Sequence, residues 1–284
     1  MANDYPEVIE IQFHNQCNAN CVICPYRSMG YVKDRMSDEL FEKFVSELDE
    51  SKLTRLIPYL NNEPFLDDTY IEKLKKIRKK CPNVELEIST NAVLLNREKI
   101  VSLKQFNLTE LRISFFGFTK QTYTRMMPTS VYEKALENLH IISEEFKNEK
   151  TIVSVVMIDD GSIDENEFSQ METLTSQLGF EFCRWGFLDR AKNVSQKSNN
   201  FYREDVYDCE QNRPRTRMHI LCDGTVIFCC QDWAHECVCG SIKENTISEV
   251  WLSEKYNNYR KALFHKNKCA PNICKNCKLA VYDK

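Results

Sequence analysis

Phe13-His14-Asn15-Gln16-Cys17-Asn18-Ala19-Asn20-Cys21-Val22-Ile23-Cys24-Pro25 is the stretch on which the reading of this chain turns. Its cysteines, Cys17, Cys21 and Cys24, stand at C-x3-C-x2-C spacing, directly after the apolar run Val8–Phe13. Such spacing folds three thiolates around one small object. A structural zinc ion wants a fourth protein ligand. A cubane iron–sulfur cluster has four irons, so three thiolates leave one iron open to a substrate or cofactor. On spacing alone both readings stand.

The rest of the chain narrows the class. Its 284 residues leave room for about two domains. Basic and acidic residues number 38 and 42 and are interspersed, which predicts no nucleic-acid partner. No apolar run approaches the length of a membrane span. Met1–Glu7 is polar and does not lead into a signal-peptide core. Fourteen cysteines without a secretion signal imply metal or redox use in a reducing compartment, so a cytoplasmic protein is expected.

Strand and helix patterns alternate through the first two-thirds. Strands are predicted at Val8–Phe13, Leu56–Leu60, Val84–Ser89, Leu111–Phe116, Thr151–Ile158 and Phe180–Phe187. Helices are predicted from Ser37 to Asp49, Asp67–Lys80, Arg97–Phe106, Val131–Phe146 and Glu165–Leu178. Six β–α repeats in one direction imply an α/β fold with a parallel sheet and right-handed crossovers. Arg190–Asp208, with Gln-Lys-Ser-Asn-Asn at 196–200, reads as a linker or covering loop. A smaller cysteine-rich domain follows, with a helix predicted over Ser248–Phe264.

The cysteine motif resembles the cluster signature of radical S-adenosylmethionine (SAM) enzymes. In that family the open iron binds the amino and carboxylate groups of SAM. Reductive cleavage then yields a radical that takes hydrogen from an unactivated C–H bond. The resemblance implies a partial (β/α)6 TIM-type barrel over residues 1–190, a linker over 191–208, and a SPASM or twitch domain over 209–284. Further motifs fall at successive strand ends, where β/α barrels place their ligands. Asn61-Asn62-Glu63-Pro64 stands where the family usually has Gly-Gly-Glu-Pro, whose backbone holds the SAM amino group. Ser89-Thr90-Asn91-Ala92 resembles a Thr-Asn-Gly turn, and Ile113-Ser114-Phe115-Phe116-Gly117 a serine-bearing strand followed by glycine. Ile23 stands where an aromatic residue usually lies near the adenine. Ile23, Asn61, Asn62, Glu63, Asn91 and Ser114 are therefore the expected SAM contacts, and Cys17, Cys21 and Cys24 the expected ligands of the first [4Fe-4S] cluster.

Cys209, fourteen residues, Gly224, four residues and Cys229 resembles the opening of a SPASM domain. Asp223-Gly224 between apolar runs is a hairpin signal. Cys274-x2-Cys277 completes a set of four, with Cys230 as a rival to Cys229. The chain ends seven residues after Cys277, so one auxiliary [4Fe-4S] cluster is expected rather than two. Zinc in the same four thiolates is the competing reading.

Cys229-Cys230-Gln231-Asp232-Trp233 and the later Gly-Ser-Ile-Lys-Glu-Asn resemble the subgroup that modifies sugars and aminocyclitols, the 2-deoxy-scyllo-inosamine dehydrogenase-like enzymes. The implied partners are a small polar substrate and an electron donor such as flavodoxin or ferredoxin. Dehydrogenation would need a group that assists proton removal, and Arg184, Asp189, Arg190 and Asp232 are candidates. Epimerisation would need a hydrogen-donating thiol, for which Cys237 and Cys239 are candidates. Maturation of a ribosomally made peptide is an alternative. It is disfavoured because only sixteen residues precede Cys17, leaving no room for a peptide-recognition domain. A cysteine-rich zinc interaction protein is a third reading.

Overall fold

The computed structural model describes residues 3–194, 202–265 and 269–283. The elements in chain order begin with β1 (Val8–Ile11), α1 (Tyr26–Met29), α2 (Asp38–Ser46), β2 (Arg55–Ile57), α3 (Tyr70–Lys80), β3 (Glu85–Thr90), α4 (Arg97–Lys104) and β4 (Glu110–Ser114). Next come α5 (Lys120–Met126), α6 (Tyr132–Phe146), β5 (Ile152–Asp159), α7 (Glu165–Leu178) and β6 (Glu181–Gly186). The last third holds β7 (Val206–Cys209), α8 (Arg213–Thr216), β8 (Arg217–Ile220), β9 (Thr225–Ile227), β10 (Val238–Ser241), α9 (Ile247–Leu252), α10 (Glu254–Phe264), α11 (Asn272–Lys275) and β11 (Ala280–Tyr282).

These elements form two compact units. One comprises residues 16–23 and 62–187. Its strands β3, β4, β5 and β6 pair in that order, all parallel. Six consecutive residues of β5, Val153–Ile158, are buried, so both faces of that strand are covered. That is the pattern of a parallel sheet clad by helices. The helices start where capping chemistry allows. Asn96, Thr119 and Asp164 each accept a backbone N–H from the first turn of α4, α5 and α7.

The other unit comprises residues 1–15, 24–61 and 188–284. Here β1 pairs in parallel with β2 on one side and with β8 on the other. An antiparallel β8–β9 hairpin turns at Asp223-Gly224, and β10 adds antiparallel to β9. A separate antiparallel pair joins β7 to β11. The first strand of the chain and the cysteine-rich C-terminal region therefore share one sheet. The packing division does not run along the sequence divisions at 190 and 209, because strand pairing ignores distance along the chain.

Several element boundaries differ from expectation for local reasons. β2 stops at Ile57 because Pro58 cannot donate to a sheet ladder. The helix predicted to start at Asp67 starts at Tyr70, and Asp67 instead ends a short 3₁₀ turn over Pro64–Leu66. The helix expected over Ser248–Phe264 is two helices. Ser253 is extended (φ −56°, ψ 149°), ends α9, and caps α10 by accepting the Tyr256 N–H. The last residues of the expected linker belong to strand β7, and the Gln-Lys-Ser-Asn-Asn at 196–200 lies outside the described residues. Among the described residues no helix is long and apolar enough to cross a membrane.

Candidate active site

In the unit that contains β3–β6, the loop of Cys17 and Cys21 is tied to three strand and helix ends. The Glu63 N–H donates to Gln16 O (3.0 Å) and the Val22 N–H to Met126 O at the end of α5 (3.0 Å). Asn91 Nδ2 donates to Asn18 Oδ1 (2.8 Å), and Thr129 Oγ1 to Asn18 O (2.8 Å). The Ala19 N–H lies 3.4 Å from Cys17 Sγ, a donor suited to a thiolate. Ile23 is buried at the end of this loop.

Glu63 organises the strand ends. Its carboxylate accepts Thr90 Oγ1 (2.6 Å), the Asn91 N–H (2.8 Å) and the Phe65 N–H (3.4 Å). Burial nevertheless outweighs these donors and pushes its pKa up to about 7. Asn62 opens this unit beside Glu63, and Ser114 ends β4 half-buried. Ala92, standing where the resembling motif has glycine, adopts the left-handed conformation that glycine would favour (φ 62°). Asn138, fully buried, donates to Ala92 O (2.7 Å) and Leu95 O (2.8 Å) and holds that turn. Gly117 meets its resemblance too. A Cβ there would sit 2.3 Å from the Tyr123 backbone nitrogen, so only glycine fits.

Arg184, on β6, is engaged elsewhere in the same unit. It pairs with Asp159 (2.5 Å) and Glu165 (2.6 Å) and lies over the Phe168 ring. This exposed ion-pair set is a sufficient structural role.

The unit that contains β1 carries the second cysteine set. Cys209, Cys229, Cys274 and Cys277 line one cavity with Pro214, Leu263 and Ile273 among its apolar walls. They come from the end of β7, the end of the β8–β9 hairpin and the turn around α11. Four thiols in an apolar pocket suit a thiolate-bound metal cluster. Cys230 is not among the lining residues. Arg213 Nη1 donates to its sulfur (3.0 Å). Contact with Cys229, then Arg213 against the opposing effect of burial, holds the Cys230 thiol well below its usual range.

Behind Cys230 lies a buried polar group that the sequence reading missed. The ligand atoms of Glu10, His219 and Cys230 lie within 4.8 Å of one another. Arg217 Nη1 pairs with Glu10 Oε1 (2.9 Å), and His219 Nε2 is 3.6 Å from the same oxygen. Burial disfavours the charged imidazole, but Glu10 and Cys230 outweigh it and push His219 up to about 9. Burial likewise opposes the Glu10 carboxylate, yet His219 and Arg217 pull it down to about 2. The one available signal was a histidine inside the apolar run Met218–Leu221.

Other candidates sit in the same unit. Burial raises the Cys24 thiol, while the Tyr26 N–H and the charge of Arg190 work the other way. Asp189 is almost fully buried, and its Oδ2 has no hydrogen-bond partner. Arg190, Ala191 and Lys192 are all left-handed (φ 53°, 53° and 71°), a strained turn of the kind that accompanies functional sites. Asn61 Nδ2 is a buried donor without a partner, though the Asn61 N–H reaches Gln12 Oε1 (3.2 Å). Asp232 is fully buried and caps its own loop, accepting the Glu236 N–H (2.9 Å) and the Cys237 N–H (2.8 Å). Cys237 and Cys239 are buried as well. Burial pushes Cys237 up to about 12 and raises Cys239 further, and neither lines the four-cysteine cavity. Tyr31 stacks on His235 (5.4 Å, 6°) and Trp233 (6.4 Å, 18°), and its hydroxyl donates to Trp233 O.

Comparison with known proteins agrees with this geometry. The model for the radical SAM superfamily matches residues 11–168, and that for an iron–sulfur cluster-binding domain, SPASM, matches residues 209–278. The S-adenosyl-L-methionine-dependent 2-deoxy-scyllo-inosamine dehydrogenase of Niallia circulans is 23% identical over 95% of this chain and 92% of its own length. The putative peptide biosynthesis protein YydG of Bacillus subtilis is 26% identical over 39% of this chain, which spans 36% of that relative. An uncharacterized protein of Methanocaldococcus jannaschii is matched over 43% of its length. The crystal structure of BtrN in complex with AdoMet and 2-DOIA shares the fold, with a TM-score of 0.65, 17% identity and coverage of 98% of this chain and 94% of that one. With the first match covering more than half of its length, the chain belongs to the radical SAM superfamily and carries a C-terminal SPASM domain.

Proposed function

We propose that this radical SAM enzyme oxidises a small polar substrate of the aminocyclitol or amino-sugar class, removing hydrogen from a carbinol carbon. The observation that carries this reading is the single cavity lined by Cys209, Cys229, Cys274 and Cys277. Such a site holds an auxiliary [4Fe-4S] cluster able to take the electron that dehydrogenation releases. The near full-length likeness to an enzyme named as a 2-deoxy-scyllo-inosamine dehydrogenase supports the substrate class.

Cys17, Cys21 and Cys24 hold the first [4Fe-4S] cluster. Bound SAM at that cluster supplies the radical that abstracts the substrate hydrogen. Glu63, fixed by Thr90 and Asn91, rigidifies the strand ends around SAM. Ile23, Asn62, Asn91 and Ser114 are the cofactor contacts assigned to the unit that contains β3–β6, and Asn61, whose Nδ2 is a buried donor without a partner, is a further one. Asp189 and Arg190, on the strained turn after β6, contact the substrate. Arg190 binds and polarises the hydroxyl rather than taking its proton, since guanidinium does not deprotonate. The Asp189 carboxylate, with a free buried oxygen, is the acceptor for that proton or for a substrate ammonium.

Dehydrogenation is preferred to epimerisation because Cys237 and Cys239 are both buried and the Cys239 thiol is engaged as a donor to Cys237 O. Peptide maturation is the second reading, favoured by the partial likeness to YydG. A flavodoxin or ferredoxin is the expected electron donor.

The test is anaerobic reconstitution. About eight irons per chain are expected, four for each cubane. With reductant, SAM should be cleaved. Aminocyclitols deuterated at one carbinol carbon at a time should, when the label is at the attacked carbon, give a ketone three mass units lighter than the labelled parent and deuterium in 5′-deoxyadenosine. Zinc alone with no SAM cleavage would sink the enzyme reading, while turnover of peptides only would leave the second reading standing.

A further inference from the structure

Gln231 lies in the wall of the four-cysteine cavity and is only 2% exposed. With its amide oriented by its neighbours, Oε1 accepts from Arg213 Nη1 (3.1 Å) and from Arg190 Nη1 (3.0 Å). Two guanidinium groups thus share one neutral oxygen, where a carboxylate is the usual bidentate partner. Arg213 Nη1 also reaches Cys230 Sγ (3.0 Å), and its Nε is buried with no partner at all. Glu10, whose charge acts on Arg213, is already held by Arg217 (2.9 Å) and faces His219 (3.6 Å). Arg213 and Arg190 thus place two positive charges at the cavity wall, and the anionic groups facing Arg213 are the sulfurs of Cys230, Cys229 and Cys209 together with Glu10. An isolated buried charge is costly unless a counter-ion accompanies it. A cluster held by four cysteinates is net anionic and becomes more so on reduction.

We propose that the Arg190–Gln231–Arg213 bridge sets the reduction potential of the auxiliary cluster, stabilising its reduced form and so making it an electron acceptor. The inference rests on the assignment of that cluster to Cys209, Cys229, Cys274 and Cys277. Net charge and hydrogen bonds around the sulfurs are the levers by which a protein tunes such potentials. The bridge also makes the arginine assigned to the substrate and the wall of the cluster cavity parts of one hydrogen-bonded unit. Arg213 and Gln231 act through the cluster and are positioning residues.

The experiment uses the full chain with Cys17, Cys21 and Cys24 changed to alanine, so that only the auxiliary cluster remains, and reads its midpoint by redox titration with EPR detection. Gln231→Glu keeps the side-chain shape and both donors while adding one negative charge. Arg213→Met removes one positive charge, and Arg213→Lys restores it. At the parent midpoint, Gln231→Glu and Arg213→Met should each lower the reduced-to-oxidised ratio at least tenfold, 59 mV for a one-electron couple, and Arg213→Lys should recover at least half of that shift. Both variants with about four irons per chain and an unchanged midpoint would overturn the inference. Should one lose its iron, the other decides. Iron loss from both makes the bridge structural only and also overturns it. A parent without iron overturns the auxiliary-cluster assignment itself, which is a separate failure.

Discussion

Replacing Glu63 by glutamine isolates the electrostatic cost of the group that ties the strand ends together. The carboxyl is 3% exposed, and burial is the largest influence on it. Three donors, from Thr90, Asn91 and Phe65, hold the ionised form and offset only part of that cost. Its folded pKa is about 7, against an ordinary value of 4.5. At 1.36 kcal/mol per pKa unit this interval corresponds to roughly 3 kcal/mol. A raised carboxyl pKa means that the folded state binds more protons than the unfolded one between those two values. The contribution is therefore fully present below pH 4.5 and is lost as pH rises through about 7. Glutamine cannot titrate, and its amide leaves a donor facing donors, a pH-independent cost of about 1–3 kcal/mol. Urea unfolding followed by circular dichroism at a series of pH values separates the two effects. Wild-type stability minus that of Glu63→Gln should fall by roughly 3 kcal/mol from pH 4.5 to pH 7.5. A difference that is flat, or that rises with pH, would refute the argument that burial dominates at Glu63.

Ala92→Gly should stabilise the chain by about 1 kcal/mol, since φ of 62° strains alanine and not glycine; a lowered urea midpoint would contradict this. Gly117→Ala should destabilise by more than about 2 kcal/mol, because its Cβ meets the α5 backbone rather than a side chain that could move; thermal unfolding reads it. Cys229→Ser should remove the auxiliary cluster, about four irons per chain, while Cys230→Ser should leave iron content unchanged; the reverse result would move the fourth ligand to Cys230. Arg184→Gln should leave SAM cleavage and substrate turnover within about twofold of wild type, because its exposed ion pairs contribute little; a tenfold loss of turnover would restore Arg184 to the site.

Local chemistry accounts for the parts of the fold that were legible in one dimension. Ser37, Asn96 and Asp164 cap the helices they precede, and the alternation of strand and helix patterns through Leu178 is what β3–β6 and their helices realise. Boundaries failed where one residue had a stronger local preference than its surroundings. Pro58 cut short β2, and Ser253 split a helix whose apolar pattern ran through it. Helix α5 was missed because it is short, with buried residues at Thr122, Tyr123 and Met126 only.

Sequence by itself determined the chemistry on offer. Thiolates at C-x3-C-x2-C, the ordered strand-end motifs and the paired downstream cysteines depend on residue type and short spacing, which the chain states directly. Spacing favoured Cys229 over Cys230 as the fourth ligand, and the tertiary structure places Cys229 in the wall of the four-cysteine cavity, since neighbouring residues in an irregular turn point in different directions. Tertiary structure alone decided that β8 docks beside β1, some two hundred residues away in sequence. That docking brings Glu10 to His219 and Arg217, and the turn after β6 brings Arg190 to Gln231. No spacing rule could disclose those meetings, because each is made by strand register and burial between segments that are remote along the chain.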